Sequence, residues 1–203
     1  MCCGLFVTPC GVALTAAHAC GFARPAGGGS LAIRASTRLG QEFSLEVVSR
    51  KVGALDIAVL RVSGAAAALP PRSHLPLPSV RLSAPQLLSS TVSLFHGSIA
   101  WSAGASVNQV ARTNGYIITC SDSLIHYNVP TCHSGAALLF RGSQVIGLHT
   151  EDLPQEHSRR TPSARADAVR LDVPQVWSAV LAAKAAPAAA AGGSARRRRP
   201  STA

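Results

Sequence analysis

Five prolines, Pro70, Pro71, Pro76, Pro78 and Pro85, do most to limit what this chain can fold into. Each lacks an amide donor and fixes its own φ. The stretch from Gly64 to Pro85 is therefore predicted to hold neither a regular helix nor a central strand. It reads as a connector, over 70–86, between two halves of similar texture. In the first half, 1–69, Leu5-Phe6-Val7 is a short apolar run ended by the turn signal Pro9-Cys10-Gly11, and Val12 to Thr15 is a second run. Gly27-Gly28-Gly29 marks a loop. Leu31 to Arg34 and Phe43 to Ser49 alternate apolar and polar residues at period two, and Ile57 to Val62 is a compact β-branched run. In the second half, 87–172, the segments Thr91 to Phe95, Tyr116 to Cys120, Ala136 to Phe140 and Gln144 to His149 have the same character. Short strands with Gly and Pro between them predict an all-β barrel or sandwich. The two halves share no detectable sequence repeat.

One helix is predicted, over 173–186, with Pro174 in its first turn and Val176, Trp177, Val180 and Leu181 sharing a face. The remaining residues, 187–203, are low in complexity and are expected to be a disordered basic tail. Apolar residues make up 47% of the 203-residue chain and aromatics only 4%, so the core must rest on Val, Leu, Ile and Ala. The net charge is +10; four of those charges form the run Arg196–Arg199, leaving +6 scattered over the rest. No aromatics interleave with the scattered charges to stack bases, which argues against nucleic acid as a partner of the body. The arginine run reads as a solvated tail, with a targeting or nucleic-acid arm as its other reading. No signal peptide is visible and no stretch reaches the ~18 apolar residues of a membrane span. The six cysteines contain no Cys-x-x-Cys pair, so neither a structural zinc nor another cofactor is called for.

Three segments carry groups suited to nucleophilic catalysis. A serine hydroxyl is a weak nucleophile until a neutral imidazole takes its proton, and a carboxylate must hold that imidazole in the right tautomer. Leu14-Thr15-Ala16-Ala17-His18 ends a strand in small residues that let the chain turn and present His18. In Leu55-Asp56-Ile57-Ala58-Val59-Leu60 a single acid opens an apolar strand, where a carboxylate needs a partner. In Cys132-His133-Ser134-Gly135-Ala136-Ala137-Leu138 a serine on a tight turn leads into a strand. A Gly-x-Ser-x-Gly elbow is excluded, because Cys132 stands where the first glycine would be.

LTAAH, DIAVL and SGAAL, in that order, resemble the histidine, aspartate and serine motifs of the trypsin-like (chymotrypsin-fold) serine peptidases, in style the bacterial and organellar members and the glutamyl endopeptidases. The resemblance runs from about Gly4 to Thr150. It implies a double β-barrel with the site in the cleft between, the C-terminal helix being an addition. It also implies His18, Asp56 and Ser134 as catalytic residues of an endopeptidase acting on protein or peptide substrates. Little chain precedes Leu5, so either the first barrel is expected to lack an N-terminal strand or the sequence is a fragment of a longer one.

Further implications come with departures. The oxyanion hole would be formed by the backbone N–H groups of Cys132 and Ser134, with a cysteine where the family has glycine. His133 replaces the residue whose acid traps a freed N-terminus in trypsin, so that activation mechanism is not expected. Cys3 and Cys20 stand where relatives carry a disulfide; two reduced thiols are the other reading. His149 and Thr150, in Val145-Ile146-Gly147-Leu148-His149-Thr150, match the strand that walls the primary pocket. A histidine there is found in peptidases preferring Glu or Gln, and Asp122 is too far from Ser134 for a trypsin-type basic specificity. The alternative from another class is a catalytically impaired chymotrypsin-fold module that binds a protein partner.

Overall fold

The computed structural model describes residues 4–20, 32–36, 42–63, 74–88, 90–102, 105–129, 137–152 and 165–186. The tail 187–203, with Arg196–Arg199, lies outside them. In the first half the apolar runs form β1 (Gly4–Phe6), β2 (Val12–Ala16), β3 (Ala32–Ser36), β4 (Glu42–Ser49) and β5 (Ile57–Val62). They pair antiparallel in the order β1-β2-β5-β4-β3. The β1–β2 turn depends on Gly11, which has φ +82°, and a Cβ there would meet Val62 Cγ2 at 2.8 Å. Only glycine meets both conditions at no cost. All five residues of β2 and the first four of β5 are buried. Val12, Leu14, Ile57 and Val59 face one core cluster, while Ala13, Ala58 and Leu60 face another with Phe43 and Leu45. Burial on both faces explains why these strands read as unbroken apolar runs rather than alternating ones.

The second half closes completely. Strands β6 (Thr91–Ser102), β7 (Ala105–Cys120), β8 (Leu124–Asn128), β9 (Ala137–Arg141), β10 (Gln144–Asp152) and β11 (Arg165–Arg170) form a barrel in the order β10-β11-β8-β7-β6-β9, with β9 pairing back to β10. Its interior holds Val92, Leu94, Ile117, Ile125, Tyr127, Leu139 and Ala168. Without β6, the order β7-β8-β11-β10-β9 reproduces the first sheet strand for strand. In the barrel, β6 bridges β7 and β9. Among the described residues no strand bridges β1 and β3 in the same way, so the first sheet is a curled half-barrel. Among the described residues the fold is thus a double barrel whose first half has one strand fewer than the second, although no sequence repeat accompanies the repeated topology.

The connector differs slightly from expectation. Its last residues begin one helical turn, α2 (Ala84–Leu87), because Pro85 occupies a first-turn position that needs no amide donor. The helix α3 (Pro174–Ala185) begins with Pro174, as expected. Its buried stripe is Val176, Val180 and Ala183, and Leu181 is 64% exposed. The stripe packs on the core cluster shared by β1, β2, β5 and β10, so the helix covers the junction of the two halves. Arg61 of β5 fixes its far end: Nη1 donates to Ala186 O at 2.6 Å, and Nε donates to Glu46 at 2.8 Å. A cation over the last carbonyls satisfies acceptors that the helix leaves open. No helix among the described residues is long and apolar enough to cross a membrane.

A buried ion pair joins the second barrel to the connector. Arg170 and Asp172, both 3% exposed, make two hydrogen bonds of 2.8 and 2.7 Å. The guanidinium also donates to Leu82 O and Ser121 O, and Asp172 accepts the Leu82 N–H at 2.8 Å. The hydrogen bond to Asp172 holds the Arg170 guanidinium above its ordinary value. A raised basic group stabilises the fold at every pH below its unfolded value and loses that contribution only in strong alkali. Removing one partner leaves a buried charge. Asp172→Ala is therefore expected to cost about 3–5 kcal/mol in urea unfolding, Val176→Ala about 2 kcal/mol, and Leu181→Ala under about 0.5 kcal/mol.

Candidate active site

Residues distant in sequence meet where β2 and β5 end. Their register pairs Ala16 with Ile57, so the next residue of each chain, Ala17 and Asp56, also lie side by side. The Ala17 N–H donates to Asp56 O at 3.2 Å. On one side, β2 passes into the single turn α1 (Ala17–Cys20), which carries His18. On the other, a tight turn closed by Leu55 N–H to Val52 O, with Gly53 at φ +59°, delivers Asp56 to the mouth of β5.

The Asp56 carboxylate is used twice. Oδ1 accepts the His18 backbone N–H at 2.9 Å, and Oδ2 lies 2.6 Å from His18 Nδ1. The first bond fixes the rotation of the carboxylate; the second fixes the imidazole. An ionised carboxylate only accepts, so Nδ1 carries the ring proton and Nε2, on the far edge of the ring, keeps a lone pair. Both side chains remain partly open to solvent, at 41% for His18 and 34% for Asp56. The pair is thus a proton acceptor held at the surface of the first sheet.

The second half contributes neighbouring strands. Leu138 and Phe140 of β9 and Val145 and Leu148 of β10 pack in one cluster with Val12, Leu14 and Ala16 of β2. Ser134 precedes the first residue of β9, Ala137, by three positions. Ser134, Cys132, His133 and Gly135 lie outside the described residues, and so does Cys3, the supposed partner of the buried Cys20. His149 is on β10 opposite Ala137 and is 1% exposed. Thr150, half-buried, stands at a register shift between His149 and Glu151 in the pairing with β11. Such bulges re-aim side chains next to functional sites. Asp122 lies in the β7–β8 turn, fully exposed, and pairs with Arg81 at 2.6 Å. The sequence reading missed one residue beside His149. The hydroxyl of Tyr127, on β8, lies 2.5 Å from His149 Nδ1. The alternation of Ile125, Tyr127 and Val129 with His126 and Asn128 was a period-two signal that marks β8.

The sequence model of a family described as trypsin-like peptidase domain matches residues 2–148. A comparison with curated proteins finds no match.

The hydrogen-bonding account of the dyad has a direct check. In Asp56→Asn the amide oxygen still accepts the His18 N–H, but the amide nitrogen must donate to Nδ1. The ring proton is then expected on Nε2, the wrong tautomer for a base. Long-range 1H–15N spectra of the imidazole would read this shift of tautomer against wild type; an unchanged spectrum contradicts the geometry.

Proposed function

The chain belongs to the trypsin-like peptidase family, and from that premise we propose that it is an active serine endopeptidase with His18, Asp56 and Ser134 as its triad. The family gives it a serine-peptidase type of function and proteins as its substrate class. The finer reading rests on one observation: the His18 imidazole is already held by Asp56 through Nδ1 at 2.6 Å, with the carboxylate anchored by a backbone N–H. A base oriented in this way is of use only to a group that meets Nε2, and Ser134 is the hydroxyl that the family motif supplies. In this reading Nε2 takes the Ser134 proton as Oγ attacks the substrate carbonyl. The backbone N–H groups of Cys132 and Ser134 stabilise the oxyanion, and the imidazolium returns the proton to the leaving amine. Water then hydrolyses the acyl-enzyme by the same proton path.

We further read His149 as the base of the primary pocket. An imidazole N–H donates to a carboxylate or an amide oxygen, so the reading favours Glu or Gln before the cut. What supports it is the position of His149 on β10, opposite Ala137 of β9, a residue three positions after Ser134 in the sequence.

Two measurements test these statements. A fluorophosphonate probe is expected to label the wild type and not Ser134→Ala, and Asp56→Asn is expected to lower kcat about 10⁴-fold, the scale of the chymotrypsin-type triad. A folded wild type that takes no label supports the impaired binding module instead. Across peptides varied only before the cut, Glu and Gln are expected to give the highest kcat/KM; a preference for Arg, Lys or large apolar residues rejects the role of His149.

A further inference from the structure

We propose that Arg112, on the outer face of the second barrel, is a preset receptor for a carboxylate on an acidic segment of a protein substrate, apart from the primary pocket. This rests on the reading that proteins are what the chain engages; it does not need the chain to cut them. The residues come from two cross-strand pairs of β6 and β7, Ser93 with Asn114 and Phe95 with Arg112. Val92 and Leu94, which alternate with Ser93 and Phe95, are buried inside the barrel. The two pairs therefore share the outer face. On the other edge of β6, Ser93 and Phe95 pair with Phe140 and Leu138 of β9, and both of these pack in the cluster between the two halves.

Neutral groups hold the guanidinium in place. Its central carbon stands 5.7 Å from the centroid of the Phe95 ring, a cation–π contact. That ring is itself set edge to face against Phe140, with centroids 5.0 Å apart and planes at 69°. Arg112 Nε and Nη2 both donate to Ser93 Oγ, at 3.1 and 3.0 Å, and Nε also donates to Asn114 Oδ1 at 3.2 Å. The Ser93 hydroxyl donates in turn to Asn114 Oδ1 at 2.8 Å, which turns its lone pairs to the cation. Arg112 is exposed, and among the described residues no carboxylate pairs with it. Asp122, Asp167 and Asp172 are engaged by Arg81, His126 and Arg170. Ser93 fills the fork between Nε and Nη2. The second fork, one hydrogen of Nη1 and one of Nη2, is left for a ligand, and a carboxylate accepts two parallel N–H bonds there. An ordinary exposed arginine loses side-chain freedom when it binds; this one is already held, so less is lost. Charge selects the ligand. One guanidinium among neutral groups matches a single carboxylate, whereas nucleic acid is held by many cations along its backbone.

The test uses the full-length chain carrying Ser134→Ala, so that no peptide is cut. Fluorescence anisotropy compares a labelled peptide rich in Glu with the same peptide carrying Gln in place of each Glu. The Glu peptide is expected to bind about tenfold more tightly, the scale of a hydrogen bond to a charged group. Adding Arg112→Gln is expected to remove the difference. Arg112→Lys, which keeps the charge but not the fork, is expected to leave only a small part of it. Replacing Arg196–Arg199 by Gln is expected to leave it intact. The inference is overturned if the two peptides bind alike, if Arg112→Lys is as selective as arginine, or if the difference survives Arg112→Gln, whether it then follows the tail arginines or His149. Inorganic phosphate or single-stranded DNA that displaces the Glu peptide at lower concentration than glutarate does also overturns it. The two readings fail separately. A folded wild type that takes no fluorophosphonate label, while the Arg112-dependent preference holds, loses the peptidase reading and keeps this one.

Discussion

The antiparallel register of β2 with β5 is the constraint on which the rest of the molecule depends. It places Ala16 opposite Ile57, and from that pairing the meeting of His18 with Asp56 follows with no further adjustment. A slip of one residue would turn every buried side chain of these strands to the other face. Both faces are buried, so neither face would tolerate the slip. One face packs against β10, α3 and the second barrel, the other against Phe43 and Leu45. Core packing and site geometry are thus one specification: the apolar run Ile57-Ala58-Val59-Leu60 that fixes the register also fixes the acid immediately before it.

The two halves share a topology and divide the labour. The first, an open curled sheet, supplies the imidazole and its carboxylate at the ends of two strands. The second, a closed barrel, supplies β9, which begins three positions after Ser134 in the sequence, and β10, which carries His149. The helix α3 spans their junction, and Arg61 ties its last carbonyls to the same β5 that begins at Asp56. The Arg170–Asp172 pair anchors the connector at Leu82. Polar contacts at these two places tie the helix to the first sheet and the connector to the second barrel, while apolar residues fill the junction between the halves.

Much of this was legible in the sequence, for physical reasons that differ from element to element. Ile57 to Val62 could be bounded to the residue because β-branched side chains crowd between a turn and a serine. His18 and Asp56 were visible because each polar residue closes or opens an apolar strand, where a polar side chain stands out from its neighbours. The strand β11 was not visible: Arg-Ala-Asp-Ala-Val-Arg offers alanines at its inward positions, and alanine carries no strand preference. It is an inward strand because β8 and β10 bring larger side chains, Tyr127 and His149, that need the room. The error at Leu181 has a similar cause. Helical spacing alone could not tell which flank of the apolar stripe the first sheet would cover, and the smaller Ala183 took the buried place.

The central claim is that the dyad held by the β2–β5 register activates Ser134. Its most direct measurement is the pre-steady-state reaction with an activated ester, quenched in acid and mapped by peptide mass spectrometry. The account predicts a burst of one acyl group per chain, carried on Ser134 and abolished by His18→Ala. A folded chain that gives no burst, or that carries the acyl group on another residue, contradicts it.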